Sequence, residues 1–254
     1  MDDNTSIIVS IVSHKQASII YDLLNDLQRY CAPFLEVILT LNIQENLPFD
    51  ITAFNYPIKL IRNETPRGFG ANHNAAFTGR NGSYFCVMKP DIRLSCNPFP
   101  ALLECCKKER SGVIAPIVTN TDGSIEKSAR RFPTPMIILA KLLGHETALD
   151  YSIGNEYICV EWVAGMFMFF PSSSYKEIGG FDENYFLYYE DVDICARLWL
   201  AKFKVILCPK VSIIHEARHE SHHNLKYLKW HLSSMMRFFL MKLHWRLTGR
   251  RLTV

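Results

Sequence analysis

Short apolar runs alternate along the first hundred residues with segments whose apolar positions recur every three or four residues. Residues 6–13 (SIIVSIVS) are β-branched and apolar, the pattern of a strand buried on both faces. Over Ala17–Tyr30, the residues Ile20, Leu23, Leu24 and Leu27 share one side of a helix. Residues 36–41, 58–61 and 84–88 predict further strands, and Gly68-Phe69-Gly70 opens a helix that runs to Phe77. Pro90 ends the strand before it by removing a backbone donor, so Asp91 stands at a carboxyl end. Strands alternating with helices predict an α/β fold with an open, mostly parallel central sheet flanked by helices. Ligands of such sheets bind beyond the carboxyl ends of the strands, which places Ser13, His14, Asn42 and Asp91 near one crevice.

The pattern changes in the second half. Residues 119–135 (TNTDGSIEKSARRFPTP) are polar and turn-rich, a hairpin or loop over the crevice. An apolar helix over 136–143, a strand over 162–170, a helix over 190–201 and a strand over 205–214 broken by Pro209 follow. From 225 to 247 apolar residues recur at three- and four-residue steps, among them Leu225, Leu228, Leu232, Met236, Leu243 and Leu247. Lysines and arginines fill much of the rest, with Trp230 and Trp245 near the two ends. That is a basic amphipathic helix, which either packs its stripe on the domain or lies in an anionic membrane surface. Both hold if its first turns pack on the domain while residues 238–251 meet lipid. The expected organisation is one domain over 1–224, its halves meeting near 118, followed by a helical segment over 225–254.

Composition narrows the class. With 48% hydrophobic and 21% charged residues, the chain has the mix of a globular protein rather than a disordered one. Its most apolar stretch, 163–170, is far shorter than the ~20 residues a membrane-spanning helix needs. The acidic start Met1-Asp2-Asp3-Asn4 lacks the basic region of a signal peptide, so a cytoplasmic location is expected. None of the eight cysteines forms a C-x-x-C pair, and they are expected to be reduced and mostly buried. The net charge of +3 conceals a block: seven basic and no acidic residues follow position 224, leaving the remainder near −4. A basic block on an acidic body points to a polyanionic partner; the acidic body and the absence of a nucleic-acid motif disfavour DNA or RNA.

The richest segment runs from Gly180 to Asp193 (GFDENYFLYYEDVD), with five carboxylates among aromatics ahead of a helix. Acidic residues in a first turn complement the helix dipole and cap free amides. In a partly dry aromatic setting one of them also gains the raised pKa of a general base. The stretch GGFDENYFLYYEDVDICAR resembles the acceptor-side motif of family 2 glycosyltransferases, nearest to bacterial rhamnosyltransferases that act on undecaprenyl-diphosphate-linked sugars. Five further pieces fall in that family's order: residues 8–14, RGFGANHN at 67–74, KPDI at 89–92, SARRFP at 128–133 and WVAG at 162–165. The resemblance covers about residues 6–245.

This resemblance implies a GT-A fold, a nucleotide-sugar donor and inversion at the anomeric carbon. Asp191 would be the base, with Glu190 its nearest rival and Asp193 supporting the helix start. Ser13, His14, Asn42, Arg67, Gly68, Gly70, Asn74, Lys89 and Asp91 would form the donor side. Arg130, Arg131, Trp162 and Gly165 would face the acceptor or a diphosphate. Asp91, joined by His215, would hold a Mg²⁺ or Mn²⁺ ion, while His219, His222 and His223 are expected to be solvated or phosphate-facing. The implied reaction moves a sugar, first L-rhamnose from a dTDP donor, onto a polyprenyl-diphosphate-linked saccharide in O-antigen or cell-surface polysaccharide synthesis. A UDP-dependent galactofuranosyl, glucosyl or N-acetylhexosaminyl transferase, or an inactive scaffold, stays open. Expected partners are these substrates and an anionic membrane on its inner face, with a second copy of the chain also admitted. Two departures stand out: Leu41-Asn42 replaces the family's Asp-Asn pair, and Lys89 stands where close relatives have Asn.

Overall fold

A computed structural model describes residues 5–108, 110–144, 149–216, 225–250 and 252. The acidic start and His219, His222 and His223 therefore lie outside the described residues.

The first half builds as its pattern predicts: β1 (Ile7–Ser13), α1 (Ala17–Tyr30), β2 (Leu35–Leu41), β3 (Ile58–Arg62), α2 (Phe69–Phe77) and β4 (Tyr84–Met88). Strand β1 pairs in parallel with β2 on one side and β4 on the other, so the chain reverses its direction of travel across the sheet there. That reversal opens a crevice at the carboxyl ends of β1 and β4. Alternate residues of β1 serve opposite layers: Ile7, Val9 and Ile11 pack toward α1, while Ile8 joins the layer under α2. Ser10, on the α2 side, is buried but lies 2.7 Å from His73 Nδ1. Burial pushes the His73 imidazole down to about 3, so the ring is neutral.

Next come β5 (Ile92–Arg93), α3 (Phe99–Cys106) and β6 (Ser111–Thr119). Neither α3 nor β6 is evident in the pattern; Gly112 and Pro116 interrupt the apolar run of β6. After β7 (Ala129–Arg130), α4 (Pro135–Leu142) and β8 (Ile158–Cys159), the segment expected as one strand over 162–170 divides in two. Its first part, β9 (Trp162–Val163), pairs with β7 in a separate two-stranded ribbon. Its second, β10 (Phe167–Pro171), runs antiparallel between β4 and β6. The turn at Ala164-Gly165-Met166 makes the break. Helices α5 (Ser172–Glu177) and α6 (Glu190–Leu200) precede β11 (Lys204–His215). Pro209 does not break β11; the strand absorbs it as a shift of register between Cys208 and Ser212. The main sheet has the order β3-β2-β1-β4-β10-β6-β11-β5, with β8 added on β11.

Helix α7 (Leu225–Leu247) lies against the acidic-aromatic loop rather than apart from it. Ser234 Oγ donates to the Leu187 carbonyl at 2.9 Å, and Arg237 pairs with Asp182 at 2.8 Å. Phe238 is fully buried and Trp245 nearly so, which corrects the expectation that residues 238–251 as a whole face lipid. The opposite side keeps Leu225, Leu228, Leu232, Met236, Leu240, Leu243 and Leu247 exposed. No helix among the described residues is long and apolar enough to cross a membrane. All eight cysteines are unpaired, and five of them are buried, in line with the expectation of burial for most; Cys96 and Cys159 are exposed.

Candidate active site

A cavity of about 850 Å³ opens at the carboxyl ends of β1 and β4. Its walls include His14, Asn42, Arg67, Lys89 and Asp91, five of the nine residues assigned to the donor side. Lys226, Tyr227 and Trp230 of α7 line it too, and Trp230 stacks on Phe186 with ring centroids 4.5 Å apart. The basic helix read as a membrane element thus also borders the crevice, a role its own sequence does not signal.

Asn42 does less for a ligand, and more for the loop, than its place at a strand end suggests. Its Oδ1 accepts from the Arg67 amide and from Asn63 Nδ2, both at 2.8 Å, and its Nδ2 donates to the Arg67 carbonyl at 2.9 Å. Asn63 Nδ2 also donates to Asn72 Oδ1 at 2.7 Å, and Asn72 returns a bond to the Gly68 carbonyl at 3.0 Å. Three asparagines therefore fix the backbone at 67–68 from below. Asn63 and Asn72 were missed in the sequence because only their convergence gives them meaning.

The remaining donor-side residues do not line the cavity. Ser13 is buried, and its hydroxyl accepts from the Gln16 amide at 3.2 Å at the entry to α1. A Cβ on Gly68 would meet the Phe186 carbonyl oxygen at 2.8 Å, and one on Gly70 would meet Phe181 Cβ at 2.6 Å. The close approach these glycines permit is thus to the acidic-aromatic loop, not to a phosphate. Asn74 is likewise occupied there: it donates to the Phe181 carbonyl and Glu183 and accepts from the Phe181 amide and the Tyr175 hydroxyl. The assignment of Gly68, Gly70 and Asn74 to the donor is corrected accordingly; they seat the loop that carries the carboxylates.

That loop ends in strain. Tyr188 and Tyr189 both hold left-handed backbone angles, φ 71° and 66°, which non-glycine residues seldom adopt. Asp191 follows in the first turn of α6. It is half-buried, and its Oδ2 accepts from the Gly165 amide at 3.0 Å. Burial holds its carboxyl above the usual range, although bonds from Gly165 and Val192 and the charge of Arg130 pull the other way. Glu190 is buried, with an Oε2 that has no partner among the described residues, and burial raises its pKa further. Asp193 pairs with Arg197 at 2.7 Å and supports the helix, as expected of it.

Of the four residues expected on the acceptor side, Gly165 bonds Asp191 and the charge of Arg130 reaches it. Arg130 and Trp162 are partners across the β7–β9 ribbon, with the guanidinium 5.3 Å from the indole ring. A Cβ on Gly165 would sit 3.2 Å from the Phe69 ring and 3.7 Å from Asp191 Cβ, so a side chain there would press on the Phe69 ring between crevice and carboxylate. Arg131 differs: it is exposed and points its guanidinium toward Tyr151 at 6.0 Å. None of these four lines the 850 Å³ cavity. The turn at 164–166 connects the two regions: the Gly165 amide holds Asp191, and the Met166 carbonyl accepts from the Lys89 amide at 2.9 Å.

Asp91 and His215 are brought together as expected, Oδ2 to Nε2 3.3 Å. The His215 Nδ1 lies 2.7 Å from Glu126 Oε2, a partner the sequence did not reveal. Burial works upward on Asp91, but bonds and charges from His215 and Lys89 outweigh it and hold the carboxyl below its ordinary value. For His215 burial works downward, and the bonds to Asp91 and Glu126 outweigh it. Lys89 Nζ stands beside both, 3.2 Å from Asp91 Oδ2 and 3.0 Å from His215 Nε2. Mg²⁺ asks for oxygen-rich, nearly octahedral coordination, whereas an ammonium carries no lone pair. One position, the buried and unpartnered Oδ1 of Asp91, remains free. No group of three or more His, Cys, Asp or Glu able to hold a metal exists among the described residues. The donor set does not fit a divalent ion while Lys89 stands there.

A mixed sheet with a ligand crevice at its reversal point and a carboxylate-bearing helix start beside it is the arrangement of GT-A glycosyltransferases. The chain superposes on GalNAc-T7 with UDP, GalNAc and Mn²⁺ (TM-score 0.67, 16% identity, 87% of this chain and 45% of that one). It also superposes on the mannosyltransferase PcManGT of Pyrobaculum calidifontis with GDP-Man and Mn²⁺ (TM-score 0.61, 14% identity, 87% and 60%). A family described as the N-terminal domain of galactosyltransferase matches residues 153–223. In sequence the chain is 28% identical over 187 residues to rhamnosyltransferase WbbL of Escherichia coli, covering 69% of this chain and 71% of that protein. It is 28% identical over 149 residues to the N-acetylglucosaminyl-diphospho-decaprenol L-rhamnosyltransferase of Mycobacterium tuberculosis, covering 53% and 47%. It thus spans about half the length of the mycobacterial relative and of GalNAc-T7. The chain is a glycosyltransferase of the GT-A fold, related to rhamnosyltransferases.

Proposed function

We propose that the chain transfers L-rhamnose from a dTDP donor to a polyprenyl-diphosphate-linked saccharide, with inversion at the anomeric carbon. The observation that carries this reading is the placement of Asp191. It is half-buried, fixed by the Gly165 amide, and separated from the 850 Å³ crevice by little more than Gly165 and the Phe69 ring. In this reading the crevice takes the nucleotide diphosphate and the Arg130–Trp162 side takes the acceptor. The acceptor hydroxyl gives its proton to Asp191 as its oxygen bonds to the anomeric carbon. The bond from that carbon to the diphosphate oxygen breaks, and its electron pair leaves with the nucleoside diphosphate. One displacement inverts the centre, and no covalent enzyme intermediate forms. Glu190, buried beside the base with one oxygen unpartnered, is poorly placed to receive an acceptor.

Sugar and acceptor come from the two rhamnosyltransferase relatives. Association with an anionic membrane is part of the same proposal. It is supported by the exposed leucine row of α7, by the basic residues Lys226, Lys229 and Arg246 exposed on the same helix, and by Met136 and Leu139 exposed on α4. The test offers a panel of dTDP- and UDP-sugars with a short-chain polyprenyl-diphosphate saccharide and reads the product anomer by NMR. Transfer from dTDP-rhamnose with inverted configuration is expected. Transfer from a UDP-sugar would replace the donor, retention would overturn the mechanism, and no transfer from any donor would favour a scaffold.

A further inference from the structure

Lys89 is the residue of the crevice that a divalent-ion site least accommodates. It departs from the pattern of the resemblance, and its side chain is neither solvated at large nor paired with one distant acid. Its ammonium is held at 3.2 Å by Asp91 and at 3.0 Å by His215. His215 is in turn anchored by Glu126 at 2.7 Å, so the ring presents its Nε2 edge to the lysine. Lys89 lines the cavity, and its backbone amide is tied to Met166. The result is one fixed positive charge, with one N–H donor to spare, lining the crevice.

We propose that the Lys89 ammonium takes the place of the divalent cation, so that this transferase binds its nucleoside diphosphate without metal. The inference rests on reading the crevice as the donor site. A cation there has two tasks: to bind the diphosphate, and to stabilise the negative charge that grows on it as the glycosidic bond breaks. An ammonium does both through hydrogen bonds to phosphate oxygens, with no proton transferred and no ligand exchanged. Asp91 and His215 then act as positioning residues that aim the lysine. Asp91 and His215 Nε2 each take one of its N–H bonds, which leaves the third for the ligand. Placing a doubly charged ion beside Asp91 would set it against the ammonium and require Lys89 to leave the cluster.

The test is calorimetric titration of UDP and dTDP into the full chain, first in EDTA and then in Mn²⁺, for wild type, Lys89→Ala, Lys89→Arg and Lys89→Asp. Wild-type affinity is expected to agree within about twofold between the two conditions. Lys89→Ala is expected to lose at least about tenfold in EDTA, Lys89→Arg to lose less, and Lys89→Asp to become Mn²⁺-dependent. Thermal unfolding of each variant separates loss of the site from loss of the fold. A wild-type affinity that rises about tenfold or more with Mn²⁺ overturns the proposal. So does a folded Lys89→Ala variant that binds as tightly as wild type in EDTA. Failure of folded wild type to bind either nucleotide in either condition overturns the donor-site reading, and this inference with it.

Discussion

The crevice below β1 and β4 and the helix start that bears Asp191 treat polar groups in opposite ways. On the crevice side, polar side chains satisfy one another: Asn42, Asn63 and Asn72 bond in series and hold the backbone of Arg67 and Gly68. On the acceptor side, polar groups are left wanting. Glu190 has a buried oxygen without a partner, Asp191 is raised by burial, and two left-handed tyrosines precede them. The first arrangement, although it leaves Asp91 Oδ1 without a partner, suits recognition, which needs fixed donors and acceptors. The second suits proton transfer, which needs a carboxylate held short of full stabilisation.

The largest effect that would break this contrast is at Asp191. Asp191→Asn keeps the shape and a partner for the Gly165 amide but cannot take a proton. The transfer rate is expected to fall by roughly 10²–10⁴ with nucleotide affinity unchanged, as measured by single-turnover transfer and titration calorimetry. A matching loss of nucleotide affinity would show that the two regions are not separate.

Asn42→Ala tests the other side. It strips partners from the Arg67 amide and carbonyl and from Asn63, an unsatisfied set that costs about 1–3 kcal/mol. Nucleotide affinity is expected to drop by about tenfold with little change in the rate at saturation, the reverse of the Asp191 result.

A pH profile sharpens the comparison further. On the proposal that Asp191 is the base, it works ionised, and burial raises its pKa, so transfer is expected to fall with decreasing pH before an ordinary aspartate near ~3.9 would titrate. Because Arg130 pulls that pKa down, Arg130→Ala should move the acid limb of kcat to still higher pH. A limb that stays in place would disconnect Arg130 from the base.

The smallest effect concerns stability. Glu190 has a raised folded pKa, so below its unfolded value near ~4.3 both states hold the proton and nothing is lost. As pH rises through that value the unfolded chain ionises first, and the native state loses stability until its own pKa is passed. Glu190→Gln should therefore raise the melting temperature by a few degrees at neutral pH and leave it unchanged in acid, as followed by thermal unfolding.

The reading from sequence succeeded where one residue's neighbours in the chain decide its place. The runs of β1, β2 and β4 and the periodicity of α1 and α6 carry their own burial pattern, so the sheet and its crevice were legible. It failed where distant residues decide. Gly68, Gly70 and Asn74 look like part of the donor side until Phe181 and Phe186, more than a hundred residues on, are seen to fill the space. Glu126 is one polar residue among many in a turn-rich stretch until β11 brings His215 to it. The strand over 162–170 was drawn too long because the apolar run continues across Ala164 and Gly165, whose turn is dictated by Asp191 and Phe69.

That turn also bears on how such an enzyme changes its substrates over time. The Lys89 backbone and the Asp191 carboxylate are linked through the main chain of Gly165 and Met166. Replacing side chains that surround a bound sugar leaves that main-chain link in place. A lineage built on this chain is free to explore new sugars around that main-chain link, provided that position 165 keeps its backbone N–H.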